Sequence, residues 1–259
     1  HKARMVKPSL SGGQICQSCH DVMLTHPITG DGVFQGQDDA DAWATSAYAG
    51  SGLKSPWSAQ KRTCIDCHMP RVRARLSDRA ARDGFVRSHR FPGANTALAH
   101  LEGSAEQLAA HRRLLQGCIS MDIVRSGTQA VEVVLFNEGV GHRFPGGVND
   151  TNQAWLEIIV RNQKGRIIGR HGDRNGHGAL IGNPHLIRAQ AVDGDGQPLT
   201  RRAVQNQRAV IYDTSLPPLW PRLVRYKIPP RAGSVRVELL YRQFGSDYVQ
   251  FACENQRGD

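Results

Sequence analysis

Long hydrophobic runs are missing from this chain; none approaches the eighteen apolar residues that a membrane-spanning helix needs, which excludes a helical span. Neither a phosphate-cradling glycine loop nor a nucleophile motif is present, so nucleotide hydrolysis and acyl transfer have no support. Asp193-Gly194-Asp195-Gly196 lacks the ligand spacing and closing Glu of a calcium loop and reads as a β-turn. The densest basic stretch, Arg71 to Arg90, comes without a nucleic-acid recognition motif, so nucleic acid is not expected as a partner. A secretory leader is not evident either, since the chain opens on His1-Lys2-Ala3-Arg4.

Against these gaps stand two copies of one motif: Cys16-Gln17-Ser18-Cys19-His20 and Cys64-Ile65-Asp66-Cys67-His68. C-x-x-C-H is the attachment pattern of c-type haem. The two cysteines form thioethers to the porphyrin, and the adjoining histidine becomes the proximal iron ligand. Paired C-x-x-C units also bind zinc. Zinc gives no reason, however, for a histidine to follow both pairs when only 11 of 259 residues are His. The expectation is therefore two covalent haems c, held by Cys16, Cys19, Cys64 and Cys67, with His20 and His68 as proximal ligands.

Covalent attachment of this kind takes place outside the cytoplasmic membrane in bacteria and archaea. A periplasmic or extracellular location is expected, with an export signal removed or the segment cut from a longer precursor. The two remaining cysteines, Cys118 and Cys253, suit either a disulfide or two unpaired thiols. The formal charge of +10 falls to roughly +8 once four propionates and two ferric porphyrins are included. A basic surface favours acidic partners. Some arginines of the 71–90 stretch are expected to pair with propionates, and the rest to face solvent.

The pattern changes near residue 117. Before it, Asp38 to Ala49 reads as a short helix around Trp43, and Asn95 to Gln116 as a longer one weakened by Gly103. Beyond Cys118, period-two segments at Ala130–Asn137, Ala154–Arg161, Ile167–Gly169, Arg208–Tyr212, Leu223–Ile228 and Val235–Tyr241 read as strands. Residues 171–205 read as a long glycine-rich loop. The expected architecture is α+β: an irregular, partly helical dihaem domain at 1–117, then an antiparallel, immunoglobulin-like β-sandwich at 118–259.

What lies across from His20 and His68 decides the chemistry. A second histidine makes low-spin iron for electron transfer, and an open position permits ligand chemistry. His89 and His142 stand out because both begin a His-Arg-Phe-Pro-Gly sequence, at 89–93 and 142–146. The Pro-Gly pair fixes the backbone beside each ring. His26, just after the first motif, is a further candidate. His100 and His111 would share one helix face, as ligands or as ordinary polar positions.

Cys64-Ile65-Asp66-Cys67-His68-Met69-Pro70, the segment Val86 to Leu98 around His89, the stretch Phe34 to Trp43, and Asn137 to Gly146 together resemble the multihaem c-type cytochromes related to cytochrome c554. The resemblance covers most of residues 1–160. It implies a C-terminal β-domain opening near His142, and relatives with more haems than two. It also implies a histidine shortly before the first motif, here His1, as a possible distal ligand. In relatives the helix around Trp43 often carries a ligand histidine, where this chain has Tyr48 and Ser51.

The leading expectation is an electron-transfer dihaem cytochrome passing electrons to other redox proteins or cytochrome subunits, in an oligomer or filament that can share haem ligands. The alternative is a haem enzyme with one open iron acting on a nitrogen oxide or peroxide. A structural role for the β-domain is the third reading.

Overall fold

In the computed structural model the described residues are 7–25, 34–50, 60–76, 78–148, 150–182 and 184–255. They form a mixed α+β protein built from small antiparallel sheets. Among them no helix is long and apolar enough to cross a membrane.

The strands in chain order are β1 (Asp21–Leu24), β2 (Phe34–Asp38), β3 (Arg71–Arg73), β4 (Phe85–Arg87), β5 (Ile119–Ser126), β6 (Ala130–Asn137), β7 (Gln153–Asn162) and β8 (Ile167–His171). They continue as β9 (Asp173–Arg174), β10 (Leu180–Ile181), β11 (His185–Leu186), β12 (Ala189–Val192), β13 (Ala209–Asp213), β14 (Pro221–Lys227) and β15 (Ala232–Arg242). Two sheets dominate. One runs β14–β6–β5; in the other, β7 lies centrally and pairs with β15, β11 and β8. Both are antiparallel throughout.

Their inward faces share one core. Val131, Val133 and Leu135 of β6 and Val224 and Tyr226 of β14 meet Leu156, Ile158 and Val160 of β7 and Val237 of β15. Burial on β6 alternates along most of the strand, as expected for a strand with one face inward, whereas β7 is buried over five consecutive residues. The cause lies on the outer face of β7. There Trp155 is flanked by the Arg174 and Arg242 guanidinium groups, 5.7 and 5.4 Å from its ring, and donates its indole N–H to Gly172 O at 3.0 Å.

The helix expected over Asn95–Gln116 is two helices, Thr96–Leu101 and Ala105–Leu115. Gly103 takes φ +67 between them, a conformation that ends a helix and that glycine adopts without steric cost. The 171–205 region, expected as loop, carries β9 to β12 with turns between them, and β12 pairs with β13. β5 and the C-terminal helix Ser246–Asn255 add to the elements that the sequence pattern predicts. Cys118 is buried and Cys253 is exposed on that last helix; both are free thiols.

A second small core joins the earlier part of the chain to the sheets. Ala47 and Tyr48, in a 3-10 turn, pack with Leu219, Trp43 and Phe136. The Tyr48 hydroxyl donates to Glu138 O, and the Trp43 indole donates to Arg62 O. This join brings residues 34–50 against the loop that follows β6.

Candidate metal centre

The second motif is a short helix, Cys64–His68, and its start is chemically specified. Asp66, one of the two residues between the cysteines, accepts from both the Thr63 backbone N–H and the Thr63 hydroxyl at 2.9 Å. These bonds satisfy donors that a helix start leaves open. Asp66 also pairs with Arg87 at 2.7 Å, which ties the helix to the β3–β4 hairpin. Arg87 in addition donates to Met69 O at 3.1 Å.

His68 lies at the end of this helix, and its Nδ1 is 2.7 Å from Pro92 O, so Nδ1–H donates there. Burial pushes the His68 imidazole below its ordinary pKa, against the opposing effect of that bond. His142 comes from the loop after β6, and its Nδ1 is 2.9 Å from Arg143 O. The two rings stand with centroids 6.3 Å apart and planes 13° from parallel. With each Nδ1 proton held by a carbonyl, each Nε2 is the lone-pair nitrogen. Two imidazoles bound through Nε2 to opposite sides of one first-row metal, at about 2 Å per bond, have centroids about 6 Å apart. The observed centroid separation matches that spacing.

The two His-Arg-Phe-Pro-Gly sequences thus serve this one place in different ways. The copy at 89–93 supplies the Pro92 carbonyl to His68. The copy at 142–146 supplies the His142 ring, and its Phe144 is buried where Phe91 is exposed. His89 is exposed and meets Phe91 edge-on at 6.0 Å. His111 is buried on the helix Ala105–Leu115 and braces the first copy from behind. Its Nδ1 is 2.9 Å from Gly93 N and 3.1 Å from Gly93 O, and Gln107 lies at its other nitrogen. Sequence reasoning placed His111 on a face with His100, whereas His100 is exposed.

The first motif begins inside the short helix Gln14–Gln17, which holds Cys16, and His20 beyond it is largely exposed. Gly13, just before that helix, lies against Cys64: a Cβ there would be 3.3 Å from the Cys64 sulfur. Burial raises the Cys64 pKa, as does the proximity of Cys16, so the first cysteines of the two motifs are neighbours. His20 Nδ1 is 3.0 Å from the Gln37 amide nitrogen and 3.9 Å from Asp39 Oδ2. Asp39 itself reaches further: its Oδ1 lies 3.5 Å from His142 Nδ1 and accepts from the Gly147 N–H at 3.2 Å. Burial alone would push the Asp39 carboxyl up, but His20, His142, Gln37 and the Gly147 N–H together hold it down at about 2.

Gly146 makes this crowding possible. A Cβ there would fall 2.5 Å from His142 Cε1 and 2.9 Å from Asp39 Oδ1. His1 and His26 lie outside the described residues, as does Ser51. Among the described residues no three His, Cys, Asp or Glu side chains converge as an ion cage, so the four-cysteine zinc alternative has no geometric counterpart there. Several basic side chains of the 71–90 stretch have partners: Arg90 pairs with Glu106 at 2.7 Å, and Arg71 lies over the Phe85 ring at 4.9 Å.

The fold is similar to that of a penta-haem cytochrome c552 from Thermochromatium tepidum, with a TM-score of 0.57 and 18% sequence identity. The likeness covers 95% of this chain and 52% of that one, so the chain spans about half the length of the solved structure. No family model matches the sequence, and no curated protein does.

Proposed function

We propose that this chain is an electron-transfer cytochrome carrying two covalent haems c, one on Cys16 and Cys19 and one on Cys64 and Cys67. The observation that carries the reading is the His68–His142 pair beside the second C-x-x-C-H motif, together with the fold likeness to a multihaem cytochrome. Haem iron supplies reversible one-electron exchange with a neighbouring centre. The chain's own part is binding and orientation. The cysteines fix each porphyrin, and His20 and His68 are the proximal ligands. His142 is the distal ligand opposite His68, and the Pro92 and Arg143 carbonyls hold the two Nδ1 protons so that both Nε2 atoms face the metal.

The finer architecture follows the same reading. Residues 1–117 form the haem-bearing domain and residues 118–259 an immunoglobulin-like β-sandwich. The core shared by the β14–β6–β5 and β7–β15 sheets supports this division. The second domain contributes His142 across the boundary. The exposed His89 is available to an iron supplied by another cytochrome subunit, and the basic surface suits an acidic redox partner. A periplasmic or extracellular location accompanies covalent haem attachment.

The test is a haem count with ferric-state optical and electron paramagnetic resonance spectra on the exported protein. Two haems per chain, with the one on Cys64 and Cys67 low-spin and inert to cyanide, are expected. A zinc-loaded protein without haem would overturn the reading. A high-spin centre at that position that binds cyanide would replace it with chemistry on a small ligand.

A further inference from the structure

Asp39 is the first residue of the helix Asp39–Ala44, and the next residue's N–H donates to the His20 carbonyl at 3.2 Å. The helix start is thereby pinned to the first motif. Its side chain points the other way as well, toward the loop of the second His-Arg-Phe-Pro-Gly sequence. One oxygen, Oδ2, faces His20 Nδ1 at 3.9 Å, and the other, Oδ1, faces His142 Nδ1 at 3.5 Å. The carboxylate is largely buried, with 18% of its side chain exposed, so solvent screens it little. Gly147 N–H and the Gln37 amide at 2.6 Å complete its surroundings.

We infer that Asp39 is a shared positioning residue, one carboxylate that orients and electronically biases a ligand histidine of each of the two haems. This rests on the proposed function. The chemistry of the imidazoles supports it. Metal binding at Nε2 requires the proton on Nδ1. The Gln37 amide nitrogen, 3.0 Å from His20 Nδ1, donates to Asp39 and has no lone pair to accept that proton. Asp39 Oδ2 faces that nitrogen at 3.9 Å as a negative charge, beyond hydrogen-bond reach. On the other side, His142 Nδ1–H already bonds the Arg143 carbonyl at 2.9 Å, and Asp39 Oδ1 adds a full negative charge beside it. A carboxylate behind a ligand imidazole makes it a stronger electron donor. Here the same charge acts on both irons, so their potentials are set together.

The experiment is Asp39→Asn, near-isosteric, in the exported holoprotein, with midpoint potentials of both haems read by spectroelectrochemistry and ligand geometry by electron paramagnetic resonance. Both potentials are expected to rise. The expected size is on the order of a tenfold change in the reduced-to-oxidised ratio at fixed solution potential, about 59 mV for a one-electron couple. Asp39→Glu, which restores the charge, should bring both back toward wild type. A shift at one haem alone, or at neither, overturns the inference.

Should Asp39→Asn fail to fold, Gln37→Leu decides. It removes an amide donor from Asp39 and should lower both potentials, although Gln37 has no contact with His68 or His142 among the described residues. A change confined to the His20 haem would then overturn the proposal. Failure of the underlying reading is distinguishable, because it appears in the wild-type protein as a missing haem or a high-spin His68 centre.

Discussion

His68, at the end of a five-residue helix, and His142, in the loop after β6, hold their rings 6.3 Å apart and nearly parallel. Each Nδ1 is tied to a backbone carbonyl from a His-Arg-Phe-Pro-Gly sequence: Pro92 O for His68, Arg143 O for His142. The two repeats thus stand differently toward His68: one supplies the Pro92 carbonyl and the other the facing His142 ring.

On the proposed assignment, His142→Ala should convert one of the two haems from low to high spin and open it to cyanide, while leaving the haem count unchanged. His89→Ala, at an exposed position, should leave the His68 centre low-spin. Ferric electron paramagnetic resonance of both variants checks this, and a low-spin His68 centre in His142→Ala would refute the pairing.

The corresponding glycines of the two repeats should respond unequally to alanine. At Gly146 a Cβ would sit 2.5 Å from the His142 ring, whereas at Gly93 the nearest atom is 4.0 Å away. Gly146→Ala is expected to cost about 1–3 kcal/mol of stability and to loosen His142. Gly93→Ala should cost far less. Thermal unfolding followed at the haem absorbance compares them directly.

His111→Leu removes the ring that receives the Gly93 N–H, at a site where the histidine is 3% exposed. An unpaired buried N–H costs about 1–3 kcal/mol. Because Gly93 adjoins Pro92, whose carbonyl orients His68, the ferric spectrum of the His68 centre should broaden as well. Chemical denaturation gives the first quantity and electron paramagnetic resonance the second.

Alkaline stability should depend on Tyr241, which packs against Phe144 with centroids 6.2 Å apart and whose phenol is pushed up to about 12 by burial. The unfolded phenol ionises near 10 and the folded one near 12, so the unfolded state holds fewer protons in that window. Stability therefore falls as pH rises from about 10 to about 12, by on the order of 2 kcal/mol. Tyr241→Phe should flatten that part of the pH–stability curve and leave stability at pH 7 close to wild type. An unchanged slope in the variant would show that the loss arises elsewhere.

The sequence displayed most clearly the features with a fixed local period or spacing. The C-x-x-C-H pairs and β6 can be read from the residues themselves, because three-residue spacing and period-two alternation are local signals. The doubled His-Arg-Phe-Pro-Gly marked His89 and His142 as equals. What separates them is long-range: His142 faces a helix far earlier in the chain, and no local pattern encodes that encounter. Asp39 was similarly hidden, since an acidic first turn is ordinary at a helix start and only the fold shows which rings it meets. The strands between 173 and 192 are two to four residues long, too short for a period to register in the sequence. β5 is hard to read for another reason: it has one partner, β6, and four consecutive exposed residues break its alternation.

The join made by Tyr48 with Glu138, and by Ala47 and Tyr48 with Leu219, has a consequence for maturation. Synthesis delivers the chain from its N-terminus, so both C-x-x-C-H motifs emerge before His142 and before the strands that carry its loop. Under the proposed assignment, the thioethers at Cys64 and Cys67 can form while the opposite side of the iron still lacks its partner from this chain. Closure of the β-rich half over the earlier segment then delivers His142. On that assignment attachment and final coordination would be separate events in time, and a truncated chain ending before residue 142 would carry its haem yet never complete the His68 centre.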